Sequence, residues 1–135
     1  MINSLTEQEK ERLLAAAQNA LKKAYAPYSK FRVGAAVLTN LGGVFTGCNV
    51  ENSSYGISIC AERTAIFKAV SEEGGSQMVL KAIAVVSENG SYCPPCGACR
   101  QVMVEFGADA IVLFKGKDRW RQVRAKDILP ESFQL

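Results

Sequence analysis

The sequence predicts an α/β fold: one domain with a mixed β-sheet covered by helices on its faces. Three observations carry this reading. The chain opens on an amphipathic helical pattern, continues through two β-rich runs joined by a glycine-containing turn, and then alternates short apolar runs with helical patterns. A tight turn makes antiparallel neighbours and a helical crossover makes parallel ones, so the sheet must be mixed. At 135 residues there is room for a single domain, 1–135, with an ordinary core and no need of disulfides.

Thr6 followed by Glu9 forms a capping box, in which each side chain accepts from the other residue's backbone N–H. Leu13, Leu14, Ala17, Leu21 and Ala24 then recur at helical spacing until Pro27, which has no N–H to continue the ladder. Runs 31–38 and 44–50 are rich in β-branched and apolar residues, and Asn40-Leu41-Gly42-Gly43 between them supplies the turn of a hairpin. A polar loop over 52–59 leads to a second helix over 61–71, with Ala65, Ile66, Ala69 and Val70 as its stripe and Gly74-Gly75 as its stop. Residues 82–86 suit a short buried strand. Beyond Pro94 and Pro95, Val102, Met103 and Phe106 mark a third helix over 97–106, ended by Gly107. Residues 110–114 read as another buried strand, on which 120–123 pairs back through a turn at Lys117-Asp118. A last helical turn over 126–129 ends before Pro130.

Hydrophobic residues make up 48% and charged residues 21%, too apolar for a disordered chain. No stretch reaches the roughly 20 apolar residues of a membrane span, and MINSLTEQEKER lacks the order of a signal peptide, so a cytoplasmic location is expected. The net charge of +3 is too mild to imply nucleic acid as a partner. Lys115, Lys117, Arg119, Arg121, Arg124 and Lys126 form a basic run, read here as the solvated face of a strand-turn-strand, with polyanion binding as the lesser alternative.

Histidine is absent, which excludes an imidazole base and any zinc site with a histidine ligand. The five cysteines are an odd number and clustered, which suggests thiolate ligands or a redox pair more than a disulfide framework. Cys60 opens the second helix and Cys96-Gly97-Ala98-Cys99 opens the third, where unsatisfied N–H groups and the helix dipole favour thiolates. Three thiolates on one zinc ion leave its fourth position open, the mark of a catalytic site, whereas a structural site wants a fourth ligand. Cys93 and Cys48 compete for that place. Cys93 pairs with Cys96 only across two prolines that offer no N–H, and Cys48 reads as a small buried hydrophobe. Glu62, two residues after Cys60, can reach a metal-bound water without being a ligand, as a general base requires. The layout matches the known pattern of zinc nucleobase deaminases in its three-cysteine variant. A structural zinc knot and a thioredoxin-type redox pair are the bland alternatives; the second lacks its usual tryptophan-rich, strand-preceded context.

Cys60-Ala61-Glu62-Arg63-Thr64-Ala65 and Pro95-Cys96-Gly97-Ala98-Cys99-Arg100-Gln101 resemble the two signatures of the small homotetrameric cytidine deaminases. Ala26-Pro27-Tyr28-Ser29-Lys30-Phe31, Gly47-Cys48-Asn49-Val50-Glu51-Asn52 and Leu129-Pro130-Glu131-Ser132-Phe133 resemble further blocks of that family, so the similarity spans nearly the whole chain. The resemblance implies a three-layer α/β/α sandwich around a five-stranded mixed sheet. It implies one zinc ion on Cys60, Cys96 and Cys99, with Glu62 as the proton shuttle that takes a proton from water and delivers it to N3 and the departing amine. Cytidine and 2′-deoxycytidine would be the substrates, in pyrimidine salvage. Asn49 and Glu51 match positions that hold ribose hydroxyls, Phe31 an aromatic beside the base, and the backbone near Ala61 a reader of the base edge. Arg63 matches an arginine that bonds to ligand thiolates, and Phe133 an aromatic that completes a neighbouring subunit's pocket. Cys93 departs from the family pattern. A blasticidin-type deaminase would share the cysteine signatures but need not hold a ribose, so the intact Asn49-Val50-Glu51-Asn52 favours a nucleoside. Polynucleotide-editing deaminases need a basic, aromatic-lined channel that this chain does not clearly offer.

Overall fold

The computed structural model describes residues 4–135. Five strands, β1 (Val33–Thr39), β2 (Val44–Cys48), β3 (Leu80–Ser87), β4 (Ile111–Lys115) and β5 (Trp120–Arg124), form one sheet in the order β2-β1-β3-β4-β5. β1 is antiparallel to both β2 and β3, β3 is parallel to β4, and β5 returns antiparallel on β4. The mixed sheet expected from the sequence is present, and α3 (Gly97–Gly107) is the crossover its parallel pair requires.

Side chains alternate across the strands and divide the core into two layers. Ala36, Leu38, Ala82, Ala84, Ile111 and Leu113 pack with Leu13, Ala17 and Leu21 of α1 (Glu7–Leu21). Ala35, Val37, Ile83, Val85, Val112 and Phe114 pack on the opposite face, against α2 (Ala61–Glu73) and α3. Helix, sheet and helix pair make the three layers. Glycine sets how closely they approach. A Cβ on Gly34 would stand 2.1 Å from the Ala17 carbonyl oxygen, and one on Gly47 would stand 2.4 Å from the Ala65 nitrogen.

The capping box at Thr6 and Glu9 forms as expected. α1, however, stops at Leu21, short of Ala24 and well before Pro27. The reason is non-local: Tyr25 N–H donates to the Asn49 carbonyl at 3.0 Å and the Tyr25 carbonyl accepts from Glu51 at 2.9 Å, which demands extended backbone. For the same reason β2 ends at Cys48, two residues early, because Val50 bridges to Tyr25 and Ile59. No helix among the described residues is long and apolar enough to cross a membrane.

Topology places both key helix starts together. β2 and β3 each run antiparallel to β1, so their carboxyl ends lie at the same end of the sheet. The chain leaves β2 for α2 and β3 for α3, which brings both helix N-termini to that end. The start of β1 and the end of β4 lie there too.

Candidate active site

Cys60 and Cys96 are the N-cap residues of α2 and α3, and Cys99 lies in the first turn of α3. The Cys60 and Cys96 sulfurs are 3.8 Å apart, those of Cys96 and Cys99 3.5 Å, and all three lie within 4.8 Å of one another. A tetrahedral zinc ion with sulfurs at ~2.3 Å spaces its donors about 3.8 Å apart, so this donor set fits the ion. It is the one such cluster of His, Cys, Asp or Glu groups among the described residues, and Cys48 and Cys93 lie outside it.

Neither N-cap sulfur bonds a helix N–H, contrary to the expectation from the sequence. Arg63 supplies a donor instead, its Nη2 reaching Cys60 Sγ at 3.4 Å. The Cys60 pKa falls to about 5, chiefly because the Cys99 thiol donates to it and secondly because Arg63 does. The Cys99 pKa rises correspondingly, through that shared bond and burial. The Cys60 bond likewise holds the Arg63 guanidinium firmly protonated.

Glu62, in the first turn of α2, is only 4% exposed. Burial pushes its pKa up to about 7, with the Cys60 charge adding to the shift. A carboxyl poised near neutrality can take up a proton and give it back. A cavity of about 300 Å³ opens over it, with Phe31, Asn49, Glu51, Ala61 and Cys96 in its lining.

Asn49 and Glu51 also build the cavity. Asn49 Oδ1 accepts from Val33 N at 2.8 Å and Nδ2 donates to the Phe31 carbonyl at 2.9 Å, which fixes Phe31 ahead of β1. Glu51 accepts from the backbone N–H groups of Tyr28 (2.9 Å) and Ser29 (3.1 Å) and from the Ser29 hydroxyl. Those bonds hold its carboxyl below the usual range. Asn49 keeps one amide hydrogen, and both residues keep lone pairs, for a further partner.

Phe133 is not brought to this cavity within the chain. It is 69% exposed and lines a separate hollow with Gln101 and Val104, where Gln101 Nε2 donates to its carbonyl at 3.0 Å. Cys93 has the opposite fate. The sequence offered it only as a rival ligand, yet it lines the cavity wall. Burial, and then the nearby Glu62 charge, raise its thiol to about 12, so it is a neutral wall. Its place three residues before Cys96, across two prolines that cannot join the helix, was the available signal. Val33, Ser58 and Ile59 also line the cavity, and no local pattern marks them.

Three clustered thiols beside a buried carboxyl, at the start of two helices on an α/β/α scaffold, define a zinc-dependent deaminase. Comparison with known proteins narrows that class. Residues 7–115 match the cytidine and deoxycytidylate deaminase zinc-binding region, and the chain belongs to this family. It is 53% identical over 130 residues to a probable cytidine deaminase of Dictyostelium discoideum, covering 96% of this chain and 86% of that protein. A cytidine deaminase of Sporosarcina psychrophila is 46% identical, over 91% of this chain and 90% of the relative. Among solved structures, the cytidine deaminase of Burkholderia pseudomallei aligns with a TM-score of 0.82 and 48% identity, covering 96% of this chain and all (100%) of that one.

Proposed function

We propose that this chain catalyses the hydrolytic deamination of cytidine and 2′-deoxycytidine to uridine and 2′-deoxyuridine, with release of ammonia. The observation that carries the reading is Glu62, buried and titrating near neutrality beside three clustered thiols, in the lining of a cavity. Relatives named cytidine deaminase, similar over nearly the whole chain, narrow the substrate to a cytosine nucleoside.

Cys60, Cys96 and Cys99 hold the zinc, which when bound supplies a Lewis acid that acidifies water. Glu62 accepts a proton from the attacking water on its carboxylate and delivers it to N3 of the pyrimidine, then takes the remaining proton from the new C4 hydroxyl and delivers it to the amine as the C4–N bond breaks and ammonia leaves. Its burial matches its pKa to those transfers and keeps bulk water from competing for the proton. Arg63 draws charge from the Cys60 thiolate, offsetting the electron donation of three sulfurs. Phe31 packs beside the base, the backbone at Ala61 reads its edge, and Asn49 and Glu51 hold the sugar. A clamp on the 3′-hydroxyl accepts ribose and 2′-deoxyribose alike. Phe133 closes the pocket of a neighbouring protomer in a homotetramer, and the enzyme serves pyrimidine salvage in the cytoplasm as a single-domain protein.

The test is the fall in ultraviolet absorbance on cytidine, 2′-deoxycytidine and free cytosine, with metal content measured in parallel. Turnover of both nucleosides by protein carrying one zinc per chain is expected. Equal turnover of free cytosine would overturn the sugar clamp, and zinc-loaded protein inert toward all three would overturn the deaminase reading.

A further inference from the structure

The basic run over 115–126 plays no part in the deaminase chemistry, and the structure sorts it into two sets. Lys126 Nζ pairs with Asp109 Oδ1 at 2.8 Å, and Arg124 Nη1 donates to the Asp109 carbonyl at 2.9 Å. The side chains of Lys117, Arg119 and Arg121, by contrast, make no hydrogen bond or ion pair among the described residues. All three line one cavity of about 460 Å³, with Asp118 as the opposing charge.

This cavity lies at the turn of the β4–β5 hairpin, at the end of the sheet where the deaminase pocket also opens. Arg121 is the register partner of Phe114, and Phe114 belongs to the face that packs against α2 and α3. Tyr92, Pro94 and Phe114 form the cavity's apolar wall. The frame is fixed by two backbone bonds. Gly116 N–H donates to the Arg119 carbonyl at 2.9 Å, closing the hairpin, and Cys93 N–H donates to the Lys115 carbonyl at 3.0 Å, tying the pocket loop to β4. Pro94 lines both this cavity and the deaminase pocket.

We propose that this cavity binds the phosphate chain of a nucleotide and that its occupant acts on the deaminase pocket through the segment carrying Pro94. Two guanidinium forks and an ammonium group match phosphate oxygens, the forks in bidentate fashion. The volume exceeds what a phosphate group fills, and the exposed Tyr92 ring offers a surface for a base or sugar. Bound ligand leans on Pro94, and the Cys93–Lys115 bond carries that displacement to the wall beside Glu62. The binding half stands on the cavity alone, whereas the coupling half rests on the deaminase reading.

Calorimetric titration of the zinc-loaded protein with UTP, tripolyphosphate and uridine tests the site, with zinc content measured before and after. UTP should bind more tightly than tripolyphosphate. Both should weaken by about tenfold or more in the K117Q/R119Q/R121Q variant, whose changes are all exposed, while uridine titrates alike in the two proteins. Saturating UTP should shift KM for cytidine in the wild type and not in the variant. No binding of either polyphosphate, or equal binding by the variant, overturns the site. Tripolyphosphate matching UTP overturns the nucleotide assignment, and an unchanged KM overturns the coupling. Because calorimetry needs no turnover, an inactive protein would count against the deaminase reading and leave the binding result to stand or fall alone.

Discussion

A carboxyl in the first turn of a helix is ordinarily ionised, because the N-terminal dipole favours negative charge. Glu62 departs from that rule since burial outweighs the dipole and lifts its pKa to about 7. Glu62→Gln should retain zinc yet lose at least the roughly 10²–10⁴-fold that acid–base catalysis contributes, and activity within tenfold of wild type would remove Glu62 from the mechanism. The same shift has a stability signature in metal-stripped protein. With a folded pKa of about 7 against an ordinary 4.5, the folded state binds the proton more tightly. That stabilisation is complete below 4.5 and lost as pH rises to 7, about 3 kcal/mol in all. Cys60, lowered from 9.0 to about 5, has the opposite slope between those values, and comparing wild type with Glu62→Gln removes the part of it that does not depend on the Glu62 charge. Urea unfolding at pH 4.5 and 7.5 should therefore show wild type losing stability relative to Glu62→Gln as pH rises. Metal analysis separates the cysteines: Cys60→Ala, Cys96→Ala and Cys99→Ala should lose zinc, whereas Cys93→Ala and Cys48→Ala should keep it. Retention by any of the first three would break the ligand assignment. On the proposed mechanism, Arg63→Gln removes the donor to Cys60, so the three sulfurs would push more charge onto a bound zinc ion and would leave the attacking water less acidic. Turnover should fall and the acidic limb of the pH–rate profile should move upward; an unchanged profile would show that the thiolate charge is managed elsewhere.

At the scale of elements, α2 carries Cys60 and Glu62 on a helix start held against β2. The contact depends on Gly47, where a Cβ would stand 2.4 Å from Ala65 N and 2.8 Å from the Ala61 carbonyl oxygen. Backbone atoms cannot yield as a flexible side chain can, so Gly47→Ala should move the first turns of α2 and cost about 1–3 kcal/mol. Chemical denaturation and zinc content would check this, and a variant of full stability and full zinc content would contradict the close approach. Local signals marked several element boundaries well. Thr6 and Glu9 satisfy each other within one turn, and Gly74 follows α2 directly, so each is written within a few residues. The end of α1 was not, because Tyr25 takes its hydrogen-bond partners from Asn49 and Glu51.

Across the whole molecule, Tyr28, Phe31, Tyr55 and Phe133 are among the exposed large apolar side chains. Phe133 lies outside its own chain's cavity, and its proposed role in a neighbouring protomer is open to a direct test. Mixing Phe133→Ala chains with Glu62→Gln chains should restore part of the lost activity, because some hybrid pockets then hold an intact Glu62 and an intact Phe133. Absence of recovery in verified mixed oligomers would return Phe133 to its own chain.

The chemistry available was legible along the chain: three thiols at helix starts, a carboxyl two residues beyond the first, no histidine, and the alternation of strands and helices that makes a mixed sheet. These are properties of residue type and short spacing, which propensity and capping read within a few positions. The remainder came from contacts between distant parts of the chain. The parallel directions of β2 and β3 carry Cys60 to within 3.8 Å of Cys96, 36 residues away in sequence. The same packing left Cys93 outside the sulfur cluster, moved Asn49 and Glu51 into the cavity's framework, and gave Glu62 its pKa. Burial, dielectric and register are sums over residues distant along the chain, so no local window contains them.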